Sequence, residues 1–253
     1  MTTIPLHTTV YGSGPGIVLA HGAGGGIESN FGTVIPALAE AHTVVASDYP
    51  GDDTPLDLDG LADALVAAAV DAGVETFTIV AFSLGTAVAV RAAVRHPERV
   101  TGLLLTAGLA TPDNRARLIA RSWQDLLDRG EYESFARLVV LTGFSTGFVN
   151  DLPVATIDDI VAQTAASIPG GTRRQAALVE SVDTTADLAA IAVPTLVVAT
   201  TADLLVDPAN SRALAAAIPG AEYAEIEAGH VVMVERPDEW HKLLTDFLDR
   251  NEL

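Results

Sequence analysis

The chain has 253 residues, 49% hydrophobic and 19% charged, with 14 Lys+Arg against 33 Asp+Glu for a formal net charge of −19. That length buries a full core and fits one large domain, or one domain with an insertion. The charge argues against phosphate backbones and anionic lipid surfaces as partners, and zero cysteines removes disulfides and thiolate chemistry.

In chain order, "MTTIPLHTTVYGSG" has neither the basic start nor the apolar core of an export signal, so a cytoplasmic protein is expected. No apolar run approaches the ~20 residues that span a bilayer. Short β-branched runs then alternate with longer runs of helical period, the pattern of a parallel sheet with crossover helices. Strands are predicted at 16–20, 42–47, 76–81, 101–107, 194–200 and 221–227. Leu61, Leu65 and Ala69 share one face of a helix that Asp59 caps and Gly73 stops. The helix from Leu84 ends at Pro97, and a last one starts at Pro237 with Trp240, Leu243, Leu244 and Phe247 inward.

The alternation breaks between 110 and 187, where "RARLIARSWQDLLDRG", "YESFARLVVLTG", "TIDDIVAQTAAS" and "TRRQAALVESV" carry helical patterns. This division predicts a core from 1–109 and 188–253 and a helical cap insertion from 110–187. Ligands of an open parallel sheet bind beyond the carboxyl ends of its strands, the edge such a cap would cover.

Two serines compete for a catalytic role. In "TFTIVAFSLGTAVAVRAAV" (76–94), Ser83 lies between a predicted strand and a predicted helix, where the chain must turn sharply. A nucleophile elbow requires that setting, with small residues such as Ala81 and Gly85 on either side. At a helix start the Leu84 amide is free to face a developing oxyanion. An ordinary helix cap is the rival role for Ser83. The literal G-x-S-x-G match surrounds Ser145, but "TGFVNDLP" follows it with no helix predicted before Pro153. Ser145 therefore reads as part of a glycine-rich loop.

A serine hydroxyl needs a base to accept its proton and a third group to hold the base. His230 follows the last predicted strand in "AEIEAGHVVMVERPDEW". For the acid, Asp203 stands nearest the end of the 194–200 strand; Asp207, before Pro208, suits a helix cap, and Asp113 is a more distant candidate. The order serine, acid, histidine is the one the elbow motif requires. In "IVLAHGAGGGIESNFG" bare glycines allow close backbone approach, so an N–H there could face Leu84 and complete an oxyanion hole. A phosphate loop is disfavoured because G-x-x-x-x-G-K-[ST] and a nearby lysine are both missing. The six histidines form no metal-binding spacing, so neither metal nor cofactor is expected.

With "LAHGAGGG", "VVASDYPGDDTP", "VAFSLGTAVAV", "VVATTADLLVDP" and "AGHVVMVERPDEW" in this order, the chain resembles the α/β-hydrolase superfamily over essentially its whole length. The resemblance implies an α/β-hydrolase fold, a mostly parallel sheet flanked by helices with a helical cap. It implies Ser83 as nucleophile, His230 as base, Asp203 as acid and the amides of Ala23 and Leu84 as the oxyanion hole, with Asp48 organising a turn. Ala81 and Thr86 stand where glycines are frequent in the family. The short N-terminal part implies that the antiparallel strands of larger members are reduced to one hairpin. A serine at the elbow argues against dehalogenases and epoxide hydrolases of this fold.

The expected reaction is hydrolysis of an ester, thioester or lactone of a small, largely apolar substrate through an acyl-enzyme. Alternatives are an acyltransferase or thioesterase, a C–C bond hydrolase, or a non-catalytic ligand-binding module on the same fold. Trp123, Tyr132, Phe135, Phe144 and Phe148 in the insertion are compatible with an apolar pocket, and equally with packing among its helices. Arg115, Arg117, Arg121, Arg173 and Arg174 suit a bound carboxylate or a solvated helix face.

Overall fold

A computed structural model of the protein describes residues 4–253. Its sheet has seven strands, β1 (His7–Gly12), β2 (Gly16–Ala20), β3 (Thr43–Asp48), β4 (Phe77–Phe82), β5 (Val100–Thr106), β6 (Thr195–Thr200) and β7 (Glu222–Ile226). They lie in the order β1-β3-β2-β4-β5-β6-β7. From β3 to β7 every neighbouring pair is parallel. The central strands β4 and β6 are buried at every position. That is why they read as continuous apolar runs rather than as alternation.

β1 corrects one expectation. It forms no hairpin with β2 but pairs antiparallel with β3, His7 opposite Asp48 and Gly12 opposite Thr43. All six of its residues are exposed, so no buried face marked "HTTVYG" as a strand in advance.

Helices cover both faces. On one lie α3 (Leu58–Asp71), α4 (Leu84–Arg95) and α10 (Pro208–Ala217), whose Leu61, Leu65, Val88 and Leu214 join a large buried cluster with Val18, Ile79 and Leu105. On the other, α1 (Ile27–Phe31), α2 (Ile35–Leu38) and α12 (Pro237–Asn251) bury Phe31, Leu38, Trp240, Leu244 and Phe247 against Leu19, Val80 and Val198. Asp57, not Asp59, caps α3, accepting from the Gly60 amide at 2.8 Å. Asp59 sits two residues further on, in the first turn, and pairs with Arg91 and Arg95 of α4.

Between β5 and β6 the chain runs through α5 (Asn114–Asp128), α6 (Tyr132–Gly143), α7 (Thr146–Asp151), α8 (Val154–Ala166) and α9 (Thr172–Ser181). The segment after Ser145 is therefore helical, against expectation. α7 is too short to show a helical period, and Ser145 itself caps it by accepting from the Phe148 amide at 3.2 Å. After β7, α11 (Val232–Glu235) is a single turn leading into α12. No helix among the described residues is long and apolar enough to cross a membrane.

Candidate active site

Ser83 occupies the turn between β4 and α4 with φ 53° and ψ −121°, a conformation that costs a non-glycine residue about 1–3 kcal/mol. Neighbouring bonds hold it there. Its amide donates to the Thr106 carbonyl at 2.9 Å, and its carbonyl accepts from the Thr86 amide at 2.9 Å and the Thr86 hydroxyl at 2.7 Å. At Gly85 a Cβ would lie 2.0 Å from the Ala20 carbonyl oxygen, so α4 rests directly on the β2 backbone. Both departures from the family pattern fit. Ala81 lies inside β4 opposite Ala20 and Leu105, where no left-handed backbone is required. Thr86 is housed by Gly108, where a Cβ would come within 2.5 Å of the Thr86 hydroxyl.

The loops after β6 and β7 bring Asp203 and His230 to the same edge. His230 Nε2 is 2.9 Å from Ser83 Oγ and its Nδ1 is 2.7 Å from Asp203 Oδ2. Asp203 Oδ2 also accepts from the Thr200 hydroxyl at 2.9 Å, and Oδ1 from the amides of Leu205 and Val206, both at 2.8 Å. A carboxylate this saturated accepts from His230, which assigns the ring proton to Nδ1 and leaves Nε2 able to accept from Ser83. The His230 and Asp203 side chains are 5% and 0% exposed, so water screens this chain weakly.

The other candidates lie elsewhere. Asp207 caps α10 through the Ala209 amide, and Asp113 caps α5 through the Ala116 amide, each at 2.8 Å. Ser145 donates from both its amide and its hydroxyl to Glu235, each at 2.7 Å, with no histidine among its bonds. Those bonds join α7 to the turn that follows His230.

The amides of Ala23 and Leu84, residues that line the same cavity, have no acceptor among the described residues, Leu84 being the first residue of its helix. The loop carrying Ala23 is fastened on three sides. The Gly22 amide donates to Asn30 Oδ1 at 2.9 Å, and the Gly24 amide, at φ 73°, donates to Gln175 Oε1 of α9 at 2.8 Å. His21 supplies the third. Its Nε2 accepts from the Tyr49 amide at 3.0 Å, so Nδ1 carries the proton given to the Gly22 carbonyl at 2.8 Å, the carbonyl of the peptide whose N–H belongs to Ala23. Burial lowers the His21 pKa to about 4, against the raising effects of the Gly22 bond and Asp48. Asp48 accepts from the Ile27 amide at 2.7 Å, fixing the end of the same loop to β3. Gln175 was not identified from sequence. Its signal is a lone amide among alanines in α9, on the face that becomes buried.

Two cavities flank the Ser83–His230 pair, Ser83 lining one and His230 the other. One, ≈ 40 Å³, is lined by Ser83 and otherwise only by apolar side chains, from α4, α5, the α9 region and the loops carrying Ala23, Leu109 and Leu205–Val206. The other, ≈ 290 Å³, includes His230, Ser29, Asn30, Thr164 and Ser167. Ala23, Trp123 and Leu205 line both and so separate them. Trp123 Nε1 is buried without a partner among the described residues.

A family model described as "Alpha/beta hydrolase family" matches residues 17–243. The chain belongs to this family. Among its relatives is a pyrrolizixenacetamide deacetylase of Xenorhabdus hominickii, 36% identical over 245 residues that cover 94% of this chain and 92% of that protein. An α/β-hydrolase enzyme from a Medee basin deep-sea metagenome library superposes with a TM-score of 0.87 at 19% identity, covering 96% of this chain and 94% of that one. A thermophilic esterase from Thermogutta terrifontis superposes at 0.84 and 24% identity, covering 99% and 95%. At those identities the two structures carry the fold alone. Taken with the deacetylase, the family membership makes this chain an α/β-hydrolase enzyme.

Proposed function

We propose that the protein is a serine hydrolase in which Ser83 is the nucleophile, His230 the general base, Asp203 the orienting acid, and the amides of Ala23 and Leu84 the oxyanion hole. The observation that carries this proposal is the buried chain from Asp203 through His230 to the strained Ser83. Ser83 Oγ attacks the carbonyl carbon of a small molecule while its proton passes to His230 Nε2, and the carbonyl oxygen becomes an oxyanion held by the two amides. The bond to the leaving group then breaks, and that group departs with the proton from His230. Water repeats the sequence, giving its proton to His230, releasing the acid and returning the proton to Ser83. Asp203 keeps Nδ1–H in place and stabilises the imidazolium without taking its proton.

The bond cleaved is of the carboxylic ester, thioester, lactone or amide class. Amide is added because the deacetylase relative is named for an acetamide. Residues 110–187 act as a cap over the site, and the reaction needs no metal or cofactor. We further read the enzyme as cytoplasmic.

The test is a small fluorophosphonate with intact-mass analysis and peptide mapping. An adduct at Ser83 that is lost in His230→Ala is expected. An adduct at Ser145, or none on folded protein, would sink the proposal.

A further inference from the structure

We infer that the narrow cavity is the acyl chamber and that the enzyme selects short acyl groups of two to four carbons carried on a larger leaving group. This rests on the proposed serine mechanism. In the tetrahedral intermediate the reacting carbon holds four substituents: Ser83 Oγ, the oxyanion, the leaving group and the acyl chain. The oxyanion lies at the amides of Ala23 and Leu84. The leaving group must lie on the His230 side, because it departs with the proton from Nε2. His230 lines the ≈ 290 Å³ cavity and not the ≈ 40 Å³ one. The acyl chain is therefore directed into the smaller cavity, which Leu84 lines and His230 does not.

Size and chemistry then set the class of acyl group. A water-sized group needs about 10–15 Å³ on this scale, so ≈ 40 Å³ holds roughly three, one to three carbons beyond the carbonyl. With every lining side chain but Ser83 apolar, a charged or hydroxylated acyl group would be stripped of water without a partner. The larger cavity has hydroxyls and an amide on its wall, at Ser29, Asn30, Thr164 and Ser167, so it suits a bulkier, partly polar leaving group and the water that follows it. Trp123 is the partition. Its ring edge packs over Gly24, where a Cβ would meet Cζ3 at 2.9 Å, and it stands T-shaped to Phe135 at a centroid distance of 5.1 Å.

The experiment is a series of p-nitrophenyl esters with a constant leaving group, run on the unlabelled full chain, with fluorophosphonate labelling done in parallel on a separate sample. Acetate and butyrate should agree in kcat/KM to within about 10-fold, and octanoate should fall by about 100-fold or more. Removing the partition in Trp123→Ala should raise the octanoate-to-acetate ratio by about 10-fold or more. Ala120→Leu, which fills the small cavity, should lower the butyrate-to-acetate ratio by a similar factor, and it serves as the second variant if Trp123→Ala fails to fold. A Ser83 adduct together with octanoate turnover within threefold of butyrate would overturn the chamber assignment and leave the serine mechanism standing. No adduct on folded protein would remove the mechanism and this inference with it.

Discussion

At the sheet edge a single methyl at Gly85 would sit 2.0 Å from a backbone carbonyl, whereas at Gly147, in α7, it would meet nothing within 4 Å. The contrast extends to packing. Ser83 stands on two large buried clusters, but α5–α9 are held by small ones around Trp123, Phe135 and Ala176 and around Ala136, Val140 and Val161. Those helices also expose Leu118, Tyr132, Leu141 and Val154. One wall of the site stands on the two large clusters; the other is set mainly by side chains of the small ones, with backbone against backbone where Gly170 and Gly171 meet the carbonyls of Gly51 and Pro50. On the proposed mechanism, chemistry belongs to the first and substrate choice to the second.

The comparison can be broken most severely at the proposed nucleophile. Ser83→Ala or His230→Ala should lower kcat by about 10⁴-fold or more with little change in the thermal midpoint, since members of a triad act as a unit. A loss under tenfold in a stopped assay would remove the catalytic meaning of the sheet edge. Gly85→Ala should destabilise by about 3 kcal/mol in urea unfolding, because neither the Ala20 carbonyl nor α4 can withdraw.

His21 gives a pH window. Its folded pKa of about 4 lies below the usual 6.5, so between these values the unfolded chain binds the extra proton. Its contribution to stability is complete above about pH 6.5 and is lost as pH falls toward 4, on the order of 2–3 kcal/mol. Thermal melts across that range should slope for the native protein and flatten for His21→Ala. Asp63, held to about 2 by the Arg95 side chain, with His96 adding to it, loses its contribution lower, as pH drops through the range below 4.

Smaller effects should come from the side-chain wall. Ser145→Ala removes the hydroxyl's bond to the buried Glu235 carboxylate and the cap it accepts from the Phe148 amide, so a loss of about 1–2 kcal/mol is expected with turnover within a few-fold of native. Gly147→Ala, the same substitution as at 85, should raise stability by about 0.5 kcal/mol, since it adds helix propensity in open space. If both glycine variants moved stability alike, the contrast between the walls would fail.

By itself, the sequence determined the parallel sheet and that the loops bearing Ser83, Asp203 and His230 follow its strands. Strand period, helix stops and the positions of Ser83, Asp203 and His230 after strands are local facts, and in a parallel sheet every strand's carboxyl end lies at one edge. Asp57 against Asp59 and the helix after Ser145 were misjudged because a cap depends on which residue leaves helical geometry, and a six-residue helix shows no period. The pairing of β1 with β3 was out of reach since that strand buries no face. Only the tertiary structure decided that Gln175 and His21 fasten the Ala23 loop and that Trp123 divides two cavities of unequal size. These contacts join segments far apart in the chain, and cavity size depends on how all the lining side chains pack at once.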